Sequence, residues 1–270
     1  MKVNKALTIA GSDSGGGAGI QADLKTFQEL GVYGMTAITA ITAQNTLGVQ
    51  GVYPVPLEGI TEQLNSIGTD LTPDAVKLGM LFSSEIIQIV AEHINKFGWN
   101  NIVLDPVMIA KGGASLLQQE AVQALKEYLL PVATVVTPNV PEAEVLTGME
   151  IHNIEDSKEA AKVLHELGAK YVLMKGGHAE YQGNEVVDLL FNGEQFIEFK
   201  SERIPSKQTH GSGCTFASAV TAGLAKGYSI EEAVQEAKQF ISIAIEEPLH
   251  IGSGHGPTNH FAYKVNKTRV

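Results

Sequence analysis

The chain has 270 residues, 44% of them hydrophobic, which is enough apolar material for a large buried core. Its 30 acidic against 19 basic residues give a net charge of −11 that no basic run relieves, which excludes a nucleic-acid-binding surface. A single cysteine excludes a disulfide framework, and the first apolar run, residues 6–10, is too short for a signal peptide or a membrane span, so a cytoplasmic protein with no membrane partner is expected.

In chain order, short apolar runs alternate with amphipathic stretches. Residues 6–10 read as a buried strand and 20–30 as a helix ending at Gly31. Strands follow at 37–42, 75–78, 101–104, 134–136 and 171–174. The helices between them are 60–67, 84–97 closed by Gly98, 118–129, and 157–167 before Gly168. Strands alternating with helices of this length predict βαβ units around a mostly parallel, covered sheet. Residues 186–199 differ, because Asn192-Gly193 between two apolar runs signals a hairpin, hence an antiparallel pair at the sheet edge. An alanine-rich helix covers 217–225. No linker or repeat interrupts the pattern, so one domain over residues 1–270 is expected.

Ligands of such sheets bind beyond the carboxyl ends of the strands, which directs attention to the turns. Gly11 to Gly19 form a glycine-rich turn after the first strand. Gly17-Ala18-Gly19-Ile20-Gln21-Ala22 fits the dinucleotide fingerprint only formally, since the second strand ends in Gln44-Asn45 where an acid should hold the ribose. Close approach of backbone to a small ligand explains these glycines better. Gln44 offers a donor and an acceptor suited to an aminated heterocycle, although a plain loop residue would look the same. Asp105-Pro106-Val107-Met108 puts a carboxylate at the end of a buried strand. One strand later stands Asn139-Val140-Pro141-Glu142. Two readings of it stay open: Asn139, Glu142 and Asp105 as hard oxygen donors for Mg²⁺, or Asn139 as a helix cap with Glu142 as its capping-box partner. Lys175-Gly176-Gly177-His178 suits phosphate contact, and no P-loop signature occurs. Thr209-His210-Gly211-Ser212-Gly213-Cys214 runs into the alanine-rich helix, where successive N–H groups at a helix start make an anion hole. The helix field there favours a Cys214 thiolate; the alternative is a packed, inert thiol.

This ordered set of turns resembles the ribokinase-like superfamily and, within it, the hydroxymethylpyrimidine/phosphomethylpyrimidine kinases of thiamine synthesis. The resemblance spans the chain from the Gly11-Ser12-Asp13-Ser14 turn to Gly256-Pro257-Thr258-Asn259-His260, with Gly-Ser-Gly-Cys and Asn-Val-Pro-Glu as its specific parts. It implies a three-layer α/β/α sandwich, a mostly parallel sheet with a few antiparallel edge strands, and a homodimer. It implies ATP and Mg²⁺ as nucleotide and cofactor, and a small pyrimidine as substrate, phosphorylated to its monophosphate and then its pyrophosphate. By the same resemblance Gly211, Ser212, Gly213 and Cys214 surround the transferring phosphoryl group, with Cys214 in the place of the usual aspartate base. Lys175, Asn139, Thr209 and His210 serve ATP; Glu142, Asp105 and Asn139 serve the metal. Gln44 faces the aminopyrimidine edge, with Gly11, Ala18, Met80 and Val107 around it and Asp23 nearby; Ala110, Lys111 and Gly112 belong to a flap. A related branch of pyridoxal kinases is the alternative. It carries a flap cysteine where this chain has Ala110 and an apolar residue where it has Gln44, so both positions point to pyrimidine. A non-catalytic binding module on the same fold would have lost Cys214, Asn139, Glu142 or an anion-hole glycine, and all are present.

Overall fold

The computed structural model describes residues 3–108, 116, 119–179 and 183–267. The flap positions Ala110, Lys111 and Gly112 lie outside the described residues. Nine strands join in one sheet in the order β3-β2-β1-β4-β5-β6-β7-β8-β9. In chain order these are β1 (Lys5–Asp13), β2 (Tyr33–Asn45), β3 (Gly48–Pro54), β4 (Ala75–Leu78), β5 (Ile102–Leu104), β6 (Val135–Val136), β7 (Tyr171–Met174), β8 (Glu185–Phe191) and β9 (Phe196–Glu202). From β2 across to β7 every pairing is parallel, and β3, β8 and β9 are antiparallel additions at the two edges.

The strand period of two sorts side chains between two helical layers. Leu7 and Ile9 of β1, Val76 and Leu78 of β4, and Ile102 and Leu104 of β5 face α2 (Leu57–Asp70), α3 (Ser84–Phe97), α4 (Gln119–Ala124), α5 (Val140–Thr147) and α6 (Ile154–Glu166). Ala6, Ala75, Val103 and Leu173 face the other layer, α1 (Gly19–Glu29), α7 (Ser212–Ala225), α8 (Ile230–Glu246) and α9 (Ala262–Lys267). The expected three-layer α/β/α sandwich is the observed one. Helix α7 is buried from Thr215 to Ala225, packed between α1 and α8 over β1, β4 and β5. Its alanines permit that approach, as Gly223 does against Ala233 of α8.

Some boundaries differ from the sequence pattern. Strand β2 runs on to Asn45 because β3 pairs back along it, Asn45 opposite Gly48, a hairpin the alternation did not reveal. The helix expected over 118–129 widens into one π-helical turn, Leu125–Leu129, and Leu130–Val132 closes it as a 3-10 turn, with Pro131 unable to donate a further helical bond. Helix α6 starts earlier than expected because Asn153 accepts from the N–H groups of Glu155 and Asp156. Among the described residues no helix is long and apolar enough to cross a membrane.

A buried ion pair ties α8 to the sheet: Lys238 Nζ lies 2.7 Å from Asp188 Oδ2, and Asp188 Oδ1 accepts the Gly176 N–H at 2.7 Å. Removing one partner leaves a buried charge uncompensated. Asp188→Ala is therefore expected to lower unfolding stability by about 3–5 kcal/mol, and adding Lys238→Met to recover part of it. Denaturant midpoints of the two variants check this.

Candidate active site

The site begins with Asp13 at the end of β1. Its buried carboxylate accepts the N–H groups of Gly15, Gly17 and Ala18 at 2.8–2.9 Å, and His210 Nε2 donates to it at 3.0 Å. Burial opposes the charge, but these hydrogen bonds prevail and hold the carboxyl at about 2. The glycine turn is thereby wrapped around one fixed anion. Gly211 lies against it with φ 77°, and a Cβ at Gly211 would collide with the Gly17 carbonyl oxygen, so only glycine fits. The chain near the C-terminus straps the turn from behind, with His210 N–H donating to Gly256 O at 3.0 Å and Thr258 N–H to His210 O at 3.2 Å.

Helix α7 starts from that turn. Its first helical bond is Thr215 N–H to Gly211 O, 2.8 Å, so the N–H groups of Gly213 and Cys214 precede the ladder and have no partner within it. Both residues line a cavity of about 1150 Å³. A Cβ on Gly213 would stand 3.6 Å from Lys175 Nζ and 3.8 Å from Asp105 Oδ2, which brings the ends of β5 and β7 to the mouth of the anion hole. Lys175 Nζ lies 2.8 Å from Asp105 Oδ1 and 3.8 Å from Glu142 Oε2.

Two carboxylates thus share one ammonium. Burial, with the Asp105 charge added, pushes the Glu142 carboxyl up to about 7 against the pull of Lys175. Lys175 is shifted upward, its burial outweighed by Asp105 and Glu142. Asn139 and Glu142 form a complete capping box: Asn139 Oδ1 accepts the Glu142 N–H at 2.9 Å and Glu142 Oε2 the Asn139 N–H at 2.8 Å. The amide oxygen of Asn139, expected at a metal, is engaged in the cap. Among the described residues no group of three or more His, Cys, Asp or Glu stands ready to hold a metal alone. Asp105 and Glu142 nevertheless fit a hard divalent cation that brings phosphate oxygens of its own, because their combined charge exceeds that of Lys175.

At Cys214 burial works against the thiolate that the helix start favours. The thiol is half-buried at the third position of α7, and burial, reinforced by Asp23 and Asp105, pushes it up to about 11; Lys77 opposes but does not win.

At the β1–β2 end Gly11, Ala18, Gln44, Met80 and Val107 line the same cavity, and Thr209, His210 and Ser212 line it too, His210 at this end through its bond to Asp13. Gln44 is pinned at its main chain, where the Ser14 hydroxyl accepts its N–H at 2.9 Å and donates to its carbonyl at 2.8 Å, and its side-chain amide donates weakly to Thr42 Oγ1 at 3.5 Å. Asp23 is not in the wall. It lies fully buried on α1, its oxygens taken by Thr8, Ser218 and Lys77. At the far end the wall is formed by Val186, Ile204, Ile241 and Ile245 with the Asp188–Lys238 pair. Sequence reasoning missed Lys77, Asp188 and Lys238; the available signal was a lysine inside a strand otherwise wholly apolar.

The profile of the phosphomethylpyrimidine kinase family matches residues 13–259. A Bacillus subtilis hydroxymethylpyrimidine/phosphomethylpyrimidine kinase is 57% identical over 266 residues, covering 98% of each chain. Among solved structures, an ADP complex of Bacillus subtilis pyridoxal kinase superposes with a TM-score of 0.91 at 48% identity, covering 98% of this chain and 100% of that one. Staphylococcus aureus pyridoxal kinase in complex with AMP-PCP and pyridoxal gives 0.89 at 41% identity, covering 97% and 95%. The ribokinase-like fold expected from the turns is shared with these kinases.

The Glu142 carboxyl, held at about 7 in the folded chain, loses its proton near 4.3 when unfolded. The folded state binds more protons between those values, so stability should fall as pH rises from about 4.5 to 7 and level off above. Glu142→Gln should flatten that slope in chemical unfolding curves measured across the window.

Proposed function

The chain belongs to the phosphomethylpyrimidine kinase family and is a kinase; from that premise we propose that it transfers the γ-phosphoryl of ATP to the hydroxymethyl oxygen of 4-amino-5-hydroxymethyl-2-methylpyrimidine, and then phosphorylates the monophosphate to the pyrophosphate used in thiamine biosynthesis. One observation carries the reading: the anion hole of α7, Lys175 and Asp105 meet midway along a single cavity with a polar end at Gln44 and an apolar end at α8. A heterocycle fits the first end and an adenine the second, which leaves the phosphates in the middle. The Staphylococcus aureus pyridoxal kinase solved with AMP-PCP and pyridoxal together supports that two-ended arrangement.

In this reading the Gly213 and Cys214 N–H groups hold the oxygens of the transferring phosphoryl group. Lys175 leaves Asp105 for the phosphates, and Thr209 and His210 border them. Mg²⁺, bound with the nucleotide near Asp105 and Glu142, would offset the charge on the phosphate oxygens. Gln44 offers its amide to the aminopyrimidine edge, against Ala18, Met80 and Val107. Cys214 would take the hydroxymethyl proton as the thiolate, but burial pushes the thiol up to about 11, so little of that form is present at neutral pH. Positioning and charge neutralisation by the hole therefore carry the larger share of the acceleration. A homodimer in the cytoplasm and a single domain belong to the same proposal.

Similarity to pyridoxal kinases at 48% and 41% identity keeps vitamin B6 phosphorylation as the second reading. Gln44 in the cavity wall favours the pyrimidine.

ATP consumption by the purified chain with Mg²⁺ tests both. Turnover is expected with hydroxymethylpyrimidine and its monophosphate and little with pyridoxal; turnover chiefly with pyridoxal would transfer the assignment to the second reading. Cys214→Ala should lower kcat by on the order of 100-fold while leaving the melting curve in place. Unchanged kcat would remove Cys214 from proton transfer.

A further inference from the structure

Lys77 and Asp23 form a fully buried ion pair, Nζ to Oδ2 3.1 Å, next to the anion hole and outside every role assigned so far. Lys77 is the third residue of β4 and the strand's one charged side chain. Asp23 Oδ2 also accepts the hydroxyl of Thr8, the β1 residue opposite Lys77, at 2.6 Å. Its Oδ1 accepts the hydroxyl of Ser218 at 2.6 Å. Two elements, β1 and α7, thus fix Asp23, and Asp23 fixes the ammonium. The Lys77 side chain runs toward the carboxyl end of its strand, because a Cβ on Gly79 would lie 2.7 Å from Nζ. Lys77 therefore reaches the cavity floor, and of its three ammonium hydrogens one bonds to Asp23. Ser218 follows Cys214 by four residues, so both stand on one face of α7, Ser218 against the pair and Cys214 one turn nearer the cavity.

Stability does not account for this arrangement. A buried pair of this kind is often replaced by apolar residues at no cost, and the layer around it is apolar. The geometry points to Lys77 as a positioning residue of the phosphoryl-transfer site, a fixed positive charge locked by Asp23 beneath Cys214 that favours the thiolate and the negative charge gathered at the anion hole. Burial pushes the thiol up, and the Lys77 charge opposes that shift. The other groups facing the thiol are Asp23 on α1, Asp105 after β5 and Lys175 after β7, with the Gly19 N–H donating to the sulfur. Of these, the two carboxylates act against the thiolate, and Lys77 limits their effect together with Lys175 and the Gly19 N–H. The inference deepens the kinase reading and rests on it for the word "site", but its test does not require turnover.

Cys214 is the chain's single cysteine, so alkylation by iodoacetamide, followed by intact mass, reports on it alone. Rates are measured at fixed pH near 8.5 in the full-length chain, its Lys77→Arg variant, and the double variant Lys77→Met/Asp23→Asn, which removes the charge without stranding its partner. The native chain and Lys77→Arg should agree within about twofold, and the double variant should react several-fold more slowly, because losing Lys77 at the thiol outweighs losing the opposing Asp23 carboxylate. Melting curves establish that each variant is folded, with Lys77→Met/Asp23→Leu replacing the double variant if it is not. A folded double variant alkylated at the native rate would overturn the inference, as would a loss of rate in Lys77→Arg equal to that in the double variant. Dependence on Lys77 without kinase turnover would fault the substrate reading alone, and turnover as proposed with alkylation indifferent to Lys77 would fault this inference alone.

Discussion

The approach of Gly211 to the Gly17 carbonyl fixes the geometry of the whole site. With no room for a side chain between them, the start of α7 is held against the turn that follows β1, and Asp13 locks the contact by gathering three N–H groups from one side and His210 from the other. Because α7 is buried along its length, it cannot tilt to relieve that contact. The N–H groups at its start therefore point into the cavity as a consequence of packing, and a preorganised hole of this kind needs no reorganisation when charge arrives.

The second theme is how a chain of net charge −11 handles anions. It concentrates positive charge where water is excluded. Lys77, Lys175 and Lys238 each sit against a carboxylate around one cavity, at Asp23, Asp105 and Asp188. In a low-dielectric wall such charges act at short range and with little screening, whereas the acidic outer surface is screened within a Debye length. Pairing prevents the Lys77 and Lys175 ammonium groups from deprotonating on burial, and both are shifted upward. Burial, with the neighbouring carboxylates added, makes Glu142 and the Cys214 thiol hold their protons more tightly than usual against the pull of these lysines. A nucleotide arriving with a divalent cation would redistribute that balance rather than create it.

Much of this was legible from the residues in order. The strands at 75–78, 102–104 and 171–174 are covered on both faces, so short apolar runs, broken by Lys77 in the first, marked them, and the strand-end rule then drew attention to Asp105 and Lys175. Asn192-Gly193 announced its hairpin, while the β2–β3 turn at Thr46-Leu47 carries no such pair and went unseen. Asn139 and Glu142 were visible as a pair, yet the sequence left capping and metal binding equally open, and only coordinates showed both capping bonds made.

What the sequence by itself determined was the alternation of elements, and with it the sheet, its helical layers and the turns that carry chemistry, because these depend on local periodicity and on glycine, proline and cap residues. Tertiary structure alone decided the electrostatics. Asp23 and Lys77 stand 54 residues apart, Asp188 and Lys238 50, Asp105 and Lys175 70. No local pattern relates such partners. The protonation of Cys214 shows the same limit: the helix start is written in the sequence, but the burial that outweighs it comes from residues of other elements folded over the thiol.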